Sequence, residues 1–377
     1  MGNSKSKFEH GHIYFQLDKS YAVSGEDLRG NIFLYLTQPY PADSLYIEIN
    51  GKEKCKWTQS NGQHGSTRIS KSKEIISEEF KIFYFPSKVA LPGQYTFPFS
   101  VRVPVGLPST LFFSGKQDSK ATIKYTVRAI LKPEQSTSIE EMLFENELAM
   151  REVPPVVTTD FNSRVSDQIK SWMGLKNHGS VDLDVKFDKD CYATNEVVIV
   201  RCHIDNQCNI PVKAIKIKLK QSVKLKANWA SRFSKKYTMW KGLLDGVAAN
   251  ESTEDYSKTI SLNLDQIEGT KNKGYFHKKF GNLEEEKIMT QHLQPTTNGE
   301  HITISYKLHI ELDYGISSRK ATCLEIPLYI QVPEPGLHHE VEAPADWNPT
   351  IISDADDLSL ISGAEEPLLN SPPPSHV

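Results

Sequence analysis

The stretch that most constrains the fold of this chain is residues 91–111, which read LPGQYTFPFSVRVPVGLPSTL. After the Pro92-Gly93 turn, apolar side chains occupy alternate positions, namely Tyr95, Phe97, Phe99, Val101, Val103 and Val105. Aromatic and β-branched residues with a period of two are typical of a strand that buries one face. Pro98 and Pro104 cannot donate to a sheet ladder, so this strand is expected at a sheet edge or beside a bulge. The stretch therefore predicts an edge strand of a β-sandwich.

Further alternating runs predict strands on both sides of this stretch. They cover residues 13–17, 28–36, 45–50, 75–85, 123–131, 302–312 and 324–332. Turn-rich loops separate the runs, and strands do not alternate with helices, which favours β-sandwiches over a parallel α/β sheet. Residues 138–152 are the one segment of the first half whose pattern is compatible with a helix, and Pro154-Pro155 would end it.

A weak internal repeat divides the chain into two halves at an offset of about 170 residues. The matching pairs are Leu17-Asp18-Lys19 with Phe187-Asp188-Lys189, and Tyr21 and Glu26 with Tyr192 and Glu196. Each set precedes an apolar strand. The repeat predicts two similarly built domains.

Three motifs resemble sequences of the arrestin family. The first is Y-x-x-G-E-x-h-x-G, formed by Tyr21, Gly25, Glu26, Leu28 and Gly30; the others are residues 92–109 and residues 181–221. The likeness runs from about residue 8 to residue 332 and is strongest to the α-arrestins, the arrestin-domain-containing branch. It implies an all-β fold of two tandem arrestin-type immunoglobulin-like β-sandwich domains with a disordered acidic C-terminal tail.

We expect five segments along the chain. They are a lipidation segment at 1–7, an N-terminal β-sandwich at 8–160, an interdomain linker at 161–180, a C-terminal β-sandwich at 181–333 and a proline-containing tail at 334–377. The tail is acidic, because no lysine or arginine follows Lys320. Acidic segments with few bulky residues are typically disordered or loosely docked.

Bulk composition indicates a cytosolic protein. The five cysteines, Cys55, Cys191, Cys202, Cys208 and Cys323, are odd in number and lack paired spacing, which fits buried thiols in a reducing compartment. No apolar run is long enough to span a membrane, and no secretory signal begins the chain. The expected location is the cytoplasm, with peripheral association with the plasma membrane or endosomes.

Catalytic motifs are absent from the sequence. It contains no GxxxxGK[ST], GxSxG, HExxH or GxGxxG. Cys202-His203 with Cys208 lacks the arrangement of a zinc site. A basic module interleaved with aromatic residues, as nucleic-acid binders carry, is also missing. We therefore expect no catalytic residues, no metal, no cofactor, no small-molecule substrate and no nucleic-acid partner.

The sharpest candidate site is a basic interval, since residues 206–244 contain no aspartate or glutamate. Its predicted anion-binding residues are Lys213, Lys216, Lys218, Lys220, Lys224, Lys226, Arg232, Lys235 and Lys236. Lys216, Lys218 and Lys220 alternate with apolar residues, so three ammonium groups share one face of one strand. Their repulsion suggests a bound anion: a phosphoinositide headgroup, a phosphorylated tail or an acidic protein segment. A solvated sheet face is the equally compatible alternative.

The N-terminus provides a second membrane signal. Gly2 and Ser6 match the N-myristoylation pattern, and Lys5 and Lys7 follow. One acyl chain gives only marginal, reversible membrane binding, so a basic surface would have to supply the rest.

The resemblance implies an adaptor that binds cytoplasmic parts of membrane cargo and recruits endocytic or ubiquitin machinery. The chain departs from many α-arrestins by lacking a PPxY motif, because Pro372-Pro373-Pro374-Ser375 has no tyrosine. Extended edge strands are expected to bind partner peptides by strand addition. The acidic tail is expected to fold back onto a basic surface and be displaced by a cargo or lipid anion. The alternative function is a constitutive coat subunit resembling the arrestin-fold component of retromer.

Overall fold

The structure is a computed structural model. It describes residues 7–19, 21–62, 65–135, 137–153, 158–171, 176–267, 293–315, 321–331 and 348–352. The first group of strands comprises β1 (Lys7–Phe8), β2 (Gly11–Leu17), β3 (Tyr21–Val23), β4 (Asp27–Leu36), β5 (Ala42–Ser60), β6 (Ser66–Tyr84), β7 (Gly93–Arg102), β8 (Leu111–Ser114), β9 (Lys120–Pro133) and β10 (Met142–Arg151). The second comprises β11 (Thr159–Lys170), β12 (Asn177–Lys189), β13 (Cys191–Ala193), β14 (Val197–Asn206), β15 (Val212–Lys226), β16 (Arg232–Val247), β17 (Glu251–Ser252), β18 (Lys258–Asn263), β19 (Thr297–Asn298), β20 (Ile302–Asp313) and β21 (Thr322–Gln331), followed by β22 (Thr350–Ile351).

The described strands form two sandwiches, which confirms the predicted tandem β-sandwich fold. In the first, the sheet β1-β2-β4-β7-β22 faces the sheet β3-β10-β9-β5-β6, to which β8 adds. In the second, β11-β12-β14-β17 with β18 faces β13-β21-β20-β15-β16 with β19. Apolar side chains on the inward parity of each strand fill the space between the two sheets.

The internal repeat corresponds to a repeated topology. β3 pairs in parallel with β10, the last of the first group of strands, through Tyr21 opposite Ala149. β13 pairs in parallel with β21, the last strand of the second sandwich, through Tyr192 opposite Ile330. The two tyrosines that marked the repeat in the sequence therefore occupy equivalent positions in the two domains.

The strand predicted from residues 91–111 is β7, and it lies near the edge of its sheet. Tyr95, Phe97 and Phe99 are buried as the alternation predicted, and β7 pairs with β4 through ten residues. The prediction was wrong for Val105, which is 79% exposed. β7 ends at Arg102, and the carbonyl of Pro104 accepts a hydrogen bond from Ser24 Oγ, so the chain has already turned away from the sheet.

Residues 138–152 do not form the helix that their pattern allowed. They contain β10, which pairs antiparallel with β9 and parallel with β3. Met142, Leu148 and Met150 are buried, and they share one parity. Burial of this face between two strands overrides a weak helical pattern.

Residues 161–180, expected as the linker, also differ from that expectation. β11 spans Thr159–Lys170 and pairs with β12 of the second sandwich through most of its length. Of its inward apolar residues, Ile169 is buried but Phe161 and Val165 are only partly buried, and most of its other side chains are exposed. An edge strand of this kind has little hydrophobic periodicity, which is why the sequence did not reveal it.

Candidate functional site

The β7 edge is the first candidate interaction surface, and a short piece of the tail occupies it. Thr350 and Ile351 of β22 pair in parallel with Tyr95 and Thr96. The N–H of Ile352 donates to the carbonyl of Thr96 (2.9 Å), and Ile352 is only 4% exposed. We call residues 348–352 the tail segment.

A side-chain contact and the apolar core complete this docking. The backbone N–H of Asn348 donates to Gln94 Oε1 at 2.7 Å. Ile352 joins the apolar core of the chain, whereas its neighbour Ile351 is 60% exposed. An extended peptide is thus bound by backbone pairing plus one apolar anchor, which is the chemistry of strand addition.

The predicted anion-binding residues fall into groups with different surroundings. Lys216, Lys218 and Lys220, which we call the paired lysines, have carboxylates beside them from the neighbouring strands. Lys216 Nζ lies 2.6 Å from Asp313 Oδ2, and Lys218 Nζ lies 3.2 Å from Glu311 Oε2. Lys220 is 4.0 Å from Glu325. The repulsion that suggested an external anion is therefore offset by acids of β20 and β21.

The remaining cations form a second group at the other end of β15. Lys224 and Lys226 lie near the end of β15, and Arg232, Lys235 and Lys236 lie at the start of β16. We call these five residues the tip cations. All five are exposed, and none has a carboxylate within ion-pair distance among the described residues. Lys213 lies at the far end of β15 and is exposed as well.

The loop of residues 293–301, which we call the junction loop, joins the two sandwiches. Glu53 of β5 is 1% exposed, and its Oε1 accepts the N–H of His301 (3.0 Å). Burial raises the pKa of Glu53. Glu152 accepts the N–H of Asn298, and Gln294 Oε1 accepts the N–H of Phe112 (3.0 Å).

Aromatic contacts and an ion pair reinforce the junction. Trp57 and Phe233 have ring centroids 6.4 Å apart, and those of Phe113 and Tyr237 are 6.1 Å apart. Lys73 of the first sandwich pairs with Glu300. Sequence reasoning missed this contact, although a signal was present: Glu53 shares its parity in β5 with apolar residues that include Cys55 and Trp57.

Other predicted features lie in the core or outside the described residues. Cys202 and Cys208 are buried free thiols, and burial raises the pKa of Cys202 to about 12. No cluster of three or more potential metal ligands occurs within the described ranges. No helix in the described part of the chain is long and apolar enough to cross a membrane. Gly2 and all the acidic residues of the tail lie outside the described residues.

Comparison with known proteins assigns a family to each half. The model of the arrestin (or S-antigen) N-terminal domain matches residues 11–145, and that of the C-terminal domain matches residues 177–335. Among curated proteins, the chain is 23% identical over 335 residues to arrestin domain-containing protein A of Dictyostelium discoideum, which covers 84% of this chain. It is 24% identical over 213 residues to human arrestin domain-containing protein 4, which covers 52% of this chain.

A third relative, arrestin domain-containing protein B of Dictyostelium discoideum, is 22% identical over 218 residues, or 55% of this chain. The matched regions span 51%, 48% and 32% of these three relatives, so the chain spans about half of their length or less. Both sandwiches are matched in order by the two arrestin domains, and the chain belongs to the arrestin family.

Proposed function

We propose that this chain is a non-enzymatic trafficking adaptor that binds cytoplasmic segments of membrane proteins and recruits endocytic or ubiquitination machinery. Its family and its two-sandwich architecture support the adaptor role. The observation that carries the proposal is the tail segment paired with Tyr95 and Thr96 at the β7 edge. An edge that accepts a strand of its own chain has the geometry to accept a similar strand of another protein.

In this proposal the tail segment acts as a weak internal competitor. Its two-residue ladder is short, and a single apolar anchor, Ile352, adds about 1.5–3 kcal/mol. A cargo peptide with the same anchor and a longer ladder would displace it. The ligand class is therefore an extended cytoplasmic peptide with an apolar residue at the position of Ile352.

Membrane association is the second part of the proposal. A myristoyl group on Gly2 and a basic surface would together hold the adaptor at the plasma membrane or an endosome. The exposed tip cations support the basic surface more strongly than the paired lysines, because the latter already have carboxylate partners.

Two neighbouring substitutions test the peptide site. Ile352→Asp places a charge where the anchor is buried, whereas Ile351→Asp adds the same charge at an exposed position of the same strand. A labelled peptide of residues 346–354 should bind the Ile352→Asp protein at least about tenfold more tightly than the wild type, since the competing strand has been released. Ile351→Asp should behave like the wild type.

The readout is fluorescence anisotropy with the full chain. A peptide that itself carries the Ile352→Asp change should bind neither protein. Equal affinity of wild type, Ile351→Asp and Ile352→Asp proteins for the native peptide would contradict a peptide site at the β7 edge. A stable stoichiometric complex on purification, unaffected by either substitution, would instead indicate a coat subunit.

A further inference from the structure

The turn between β15 and β16 presents a tryptophan to solvent on a loop closed by internal hydrogen bonds. Trp229 is 83% exposed. Asn228 Oδ1 accepts the backbone N–H groups of Ala230 (2.9 Å) and Ser231 (2.7 Å). The N–H of Ala227 donates to the carbonyl of Ser231 at 3.0 Å. These bonds satisfy three backbone donors inside the loop, so the loop can leave bulk water at a low cost in unsatisfied polar groups.

An exposed indole at this position contributes almost nothing to folding. Its large apolar surface favours an environment less polar than water, and its N–H favours a hydrogen-bond acceptor. The headgroup region of a bilayer supplies both, which is why tryptophan is enriched at membrane interfaces. The exposed side chain of Trp229 is therefore suited to contact a surface outside the protein that offers both apolar groups and hydrogen-bond acceptors.

The tip cations surround this tryptophan in sequence and in the hairpin. Lys226 lies directly opposite Arg232, and Lys224 lies opposite Ser234 on the same face. Like charges placed directly opposite one another destabilise a hairpin. Lys226 helps to lower the pKa of Glu300, but the main partner of that carboxylate is Lys73. Apart from this attraction, the described residues offer the tip cations no carboxylate within ion-pair distance, whereas an anionic surface would attract them.

The base of the hairpin is held in place by the junction of the two sandwiches. The N–H of Lys226 donates to the carbonyl of His301 (2.9 Å), and His301 Nδ1 lies 3.0 Å from the carbonyl of Lys226. Phe233, one residue beyond Arg232, contacts Trp57 of the first sandwich. These contacts hold the base of the hairpin against both the junction loop and the first sandwich.

We propose that the β15–β16 tip is a membrane-contact site, in which Trp229 enters the interface of an anionic bilayer while the tip cations bind lipid headgroups. The inference rests on the membrane part of the proposed function and specifies its residues. It assigns membrane contact to an indole and five cations at one hairpin end. It does not involve the paired lysines.

Vesicle sedimentation with full-length, unmyristoylated protein tests the site directly. The probes are phosphatidylcholine vesicles with and without phosphatidylserine. Trp229→Ser should weaken binding to the phosphatidylserine vesicles by roughly tenfold, since it removes one large apolar group from the interface. Leu243→Ser is the matched control, because Leu243 is 65% exposed on the same hairpin but lies far from the turn. This control should bind like the wild type.

A charge series separates a local site from general attraction. The triple variant Lys224→Gln, Lys226→Gln and Arg232→Gln should lose about a hundredfold in affinity at low salt. The triple variant Lys216→Gln, Lys218→Gln and Lys220→Gln removes the same net charge from the paired lysines and should lose much less. Wild-type binding should also fall steeply with added salt.

Quenching by brominated lipids shows whether the indole enters the bilayer. The difference in quenching between the wild type and Trp229→Phe measures the quenching of Trp229 alone, because the other four tryptophans are unchanged. Equal affinity of Trp229→Ser and wild type, or absence of that quenching difference, would overturn the proposal. Equal losses of vesicle affinity in the two triple variants would also overturn the proposal. Binding of the tip to a peptide of residues 334–377, without binding to vesicles, would overturn it as well.

The same experiment keeps the two proposals distinguishable. Myristoylated protein and its Gly2→Ala variant are measured alongside the unmyristoylated protein. Binding that needs Gly2 but ignores Trp229 would overturn the tip site and leave the adaptor proposal standing. The peptide site at the β7 edge is tested without membranes, so its failure would leave the vesicle results intact.

Discussion

Glu53 is a carboxylate placed on the apolar face of β5 and covered by the second sandwich. Its Oε1 accepts the N–H of His301, and the junction loop adds Glu300, which is paired with Lys73. From its own sandwich, Tyr125 and Cys55 face it, and its charge helps to raise the pKa of both. Burial raises the pKa of Glu53 itself, so desolvation outweighs the hydrogen bonds that favour its charged form.

This environment predicts a pH-dependent stability that a single substitution removes. Because the folded pKa of Glu53 lies above its ordinary value of 4.5, its contribution to folding is fully present below that value and is lost as pH rises through the raised one. Glu53→Gln keeps an oxygen acceptor for His301 and has no charge. Its stability relative to wild type should therefore rise between pH 4 and pH 7, as measured by urea unfolding.

Glu53→Ala provides the control for the hydrogen bond itself. It leaves the N–H of His301 buried without an acceptor, so it should be less stable than Glu53→Gln by about 1–3 kcal/mol at every pH. A Glu53→Gln protein whose stability follows that of the wild type in parallel across the pH range would contradict the raised pKa.

The glycines of the Y-x-x-G-E-x-h-x-G motif have a steric explanation at the same scale. Gly25 has a φ of +82°, a backbone conformation that residues with a side chain rarely adopt. A Cβ on Gly30 would lie 2.2 Å from the carbonyl oxygen of Gln16, which is too close for any side chain. Both requirements arise from the turn before β4 and from its pairing with β2. The motif could thus be read from the sequence because backbone sterics fix its residues.

At the level of elements, β15 has two ends with opposite electrostatic character. The paired lysines of its first half face acids on β20 and β21, and ammonium contact with Lys216 lowers the pKa of Asp313. At its second half, Lys226 is opposite Arg232. One strand therefore combines a balanced charge ladder with an unbalanced hairpin end.

The unbalanced end predicts a gain of stability on mutation. Arg232→Glu replaces a repulsive cross-strand pair by an attractive one and should raise the free energy of unfolding by about 0.2–1 kcal/mol. The matched control is Lys241→Glu, which makes the same charge change on β16 opposite Lys218, a lysine that already has Glu311. Chemical denaturation of both variants measures the difference.

Arg232→Glu should also weaken binding to anionic vesicles. The positive charge of Arg232 destabilises the hairpin opposite Lys226, but the proposed membrane contact depends on it. If Arg232→Glu proves less stable than wild type while Lys241→Glu is neutral, the cation pair would have a structural partner, and the tip proposal would lose one of its supports.

The strands could be predicted from the sequence where one face is strongly apolar. β7 and β9 follow this rule, since Tyr95, Phe97 and Phe99 of β7 are buried as their alternation indicated. β11 could not be predicted, because its partly buried edge positions carry too few apolar residues to set a period. β10 was missed for a different reason: its apolar residues fall on both parities, so no clear period of two marks the buried face of Met142, Leu148 and Met150.

The sequence predicted only part of the candidate site. The basic interval was found from its missing acids, but its division into paired lysines and tip cations depends on partners about 90 residues away in the chain, such as Glu311 for Lys218. Trp229 and the tail segment carry no local signal. The roles that we propose for them depend on the exposure of a side chain and on pairing between distant segments, which are seen only in the folded chain.

At the scale of the whole molecule, the two sandwiches are joined through the junction loop. Gln294 is 2% exposed, its Oε1 accepts the N–H of Phe112, and its carbonyl accepts the hydroxyl of Tyr306 (2.6 Å). Glu53 holds the same loop from the other side through His301. Polar contacts of this kind fix the orientation of two domains because the buried groups lose their partners if the domains separate.

The double variant Glu53→Ala, Gln294→Ala should therefore uncouple the two sandwiches. Each substitution leaves a buried N–H unsatisfied and should cost about 1–3 kcal/mol, and together they should cost less than their sum, since either one opens the junction. We expect one calorimetric unfolding transition in the wild type and two in the double variant.

Gln221→Ala is the control, because Gln221 is equally buried and binds Tyr306 within the second sandwich alone. It should lower the transition temperature without splitting the transition. A double variant that still unfolds in one transition, with additive losses, would show that the aromatic contacts Trp57–Phe233 and Phe113–Tyr237 hold the junction by themselves.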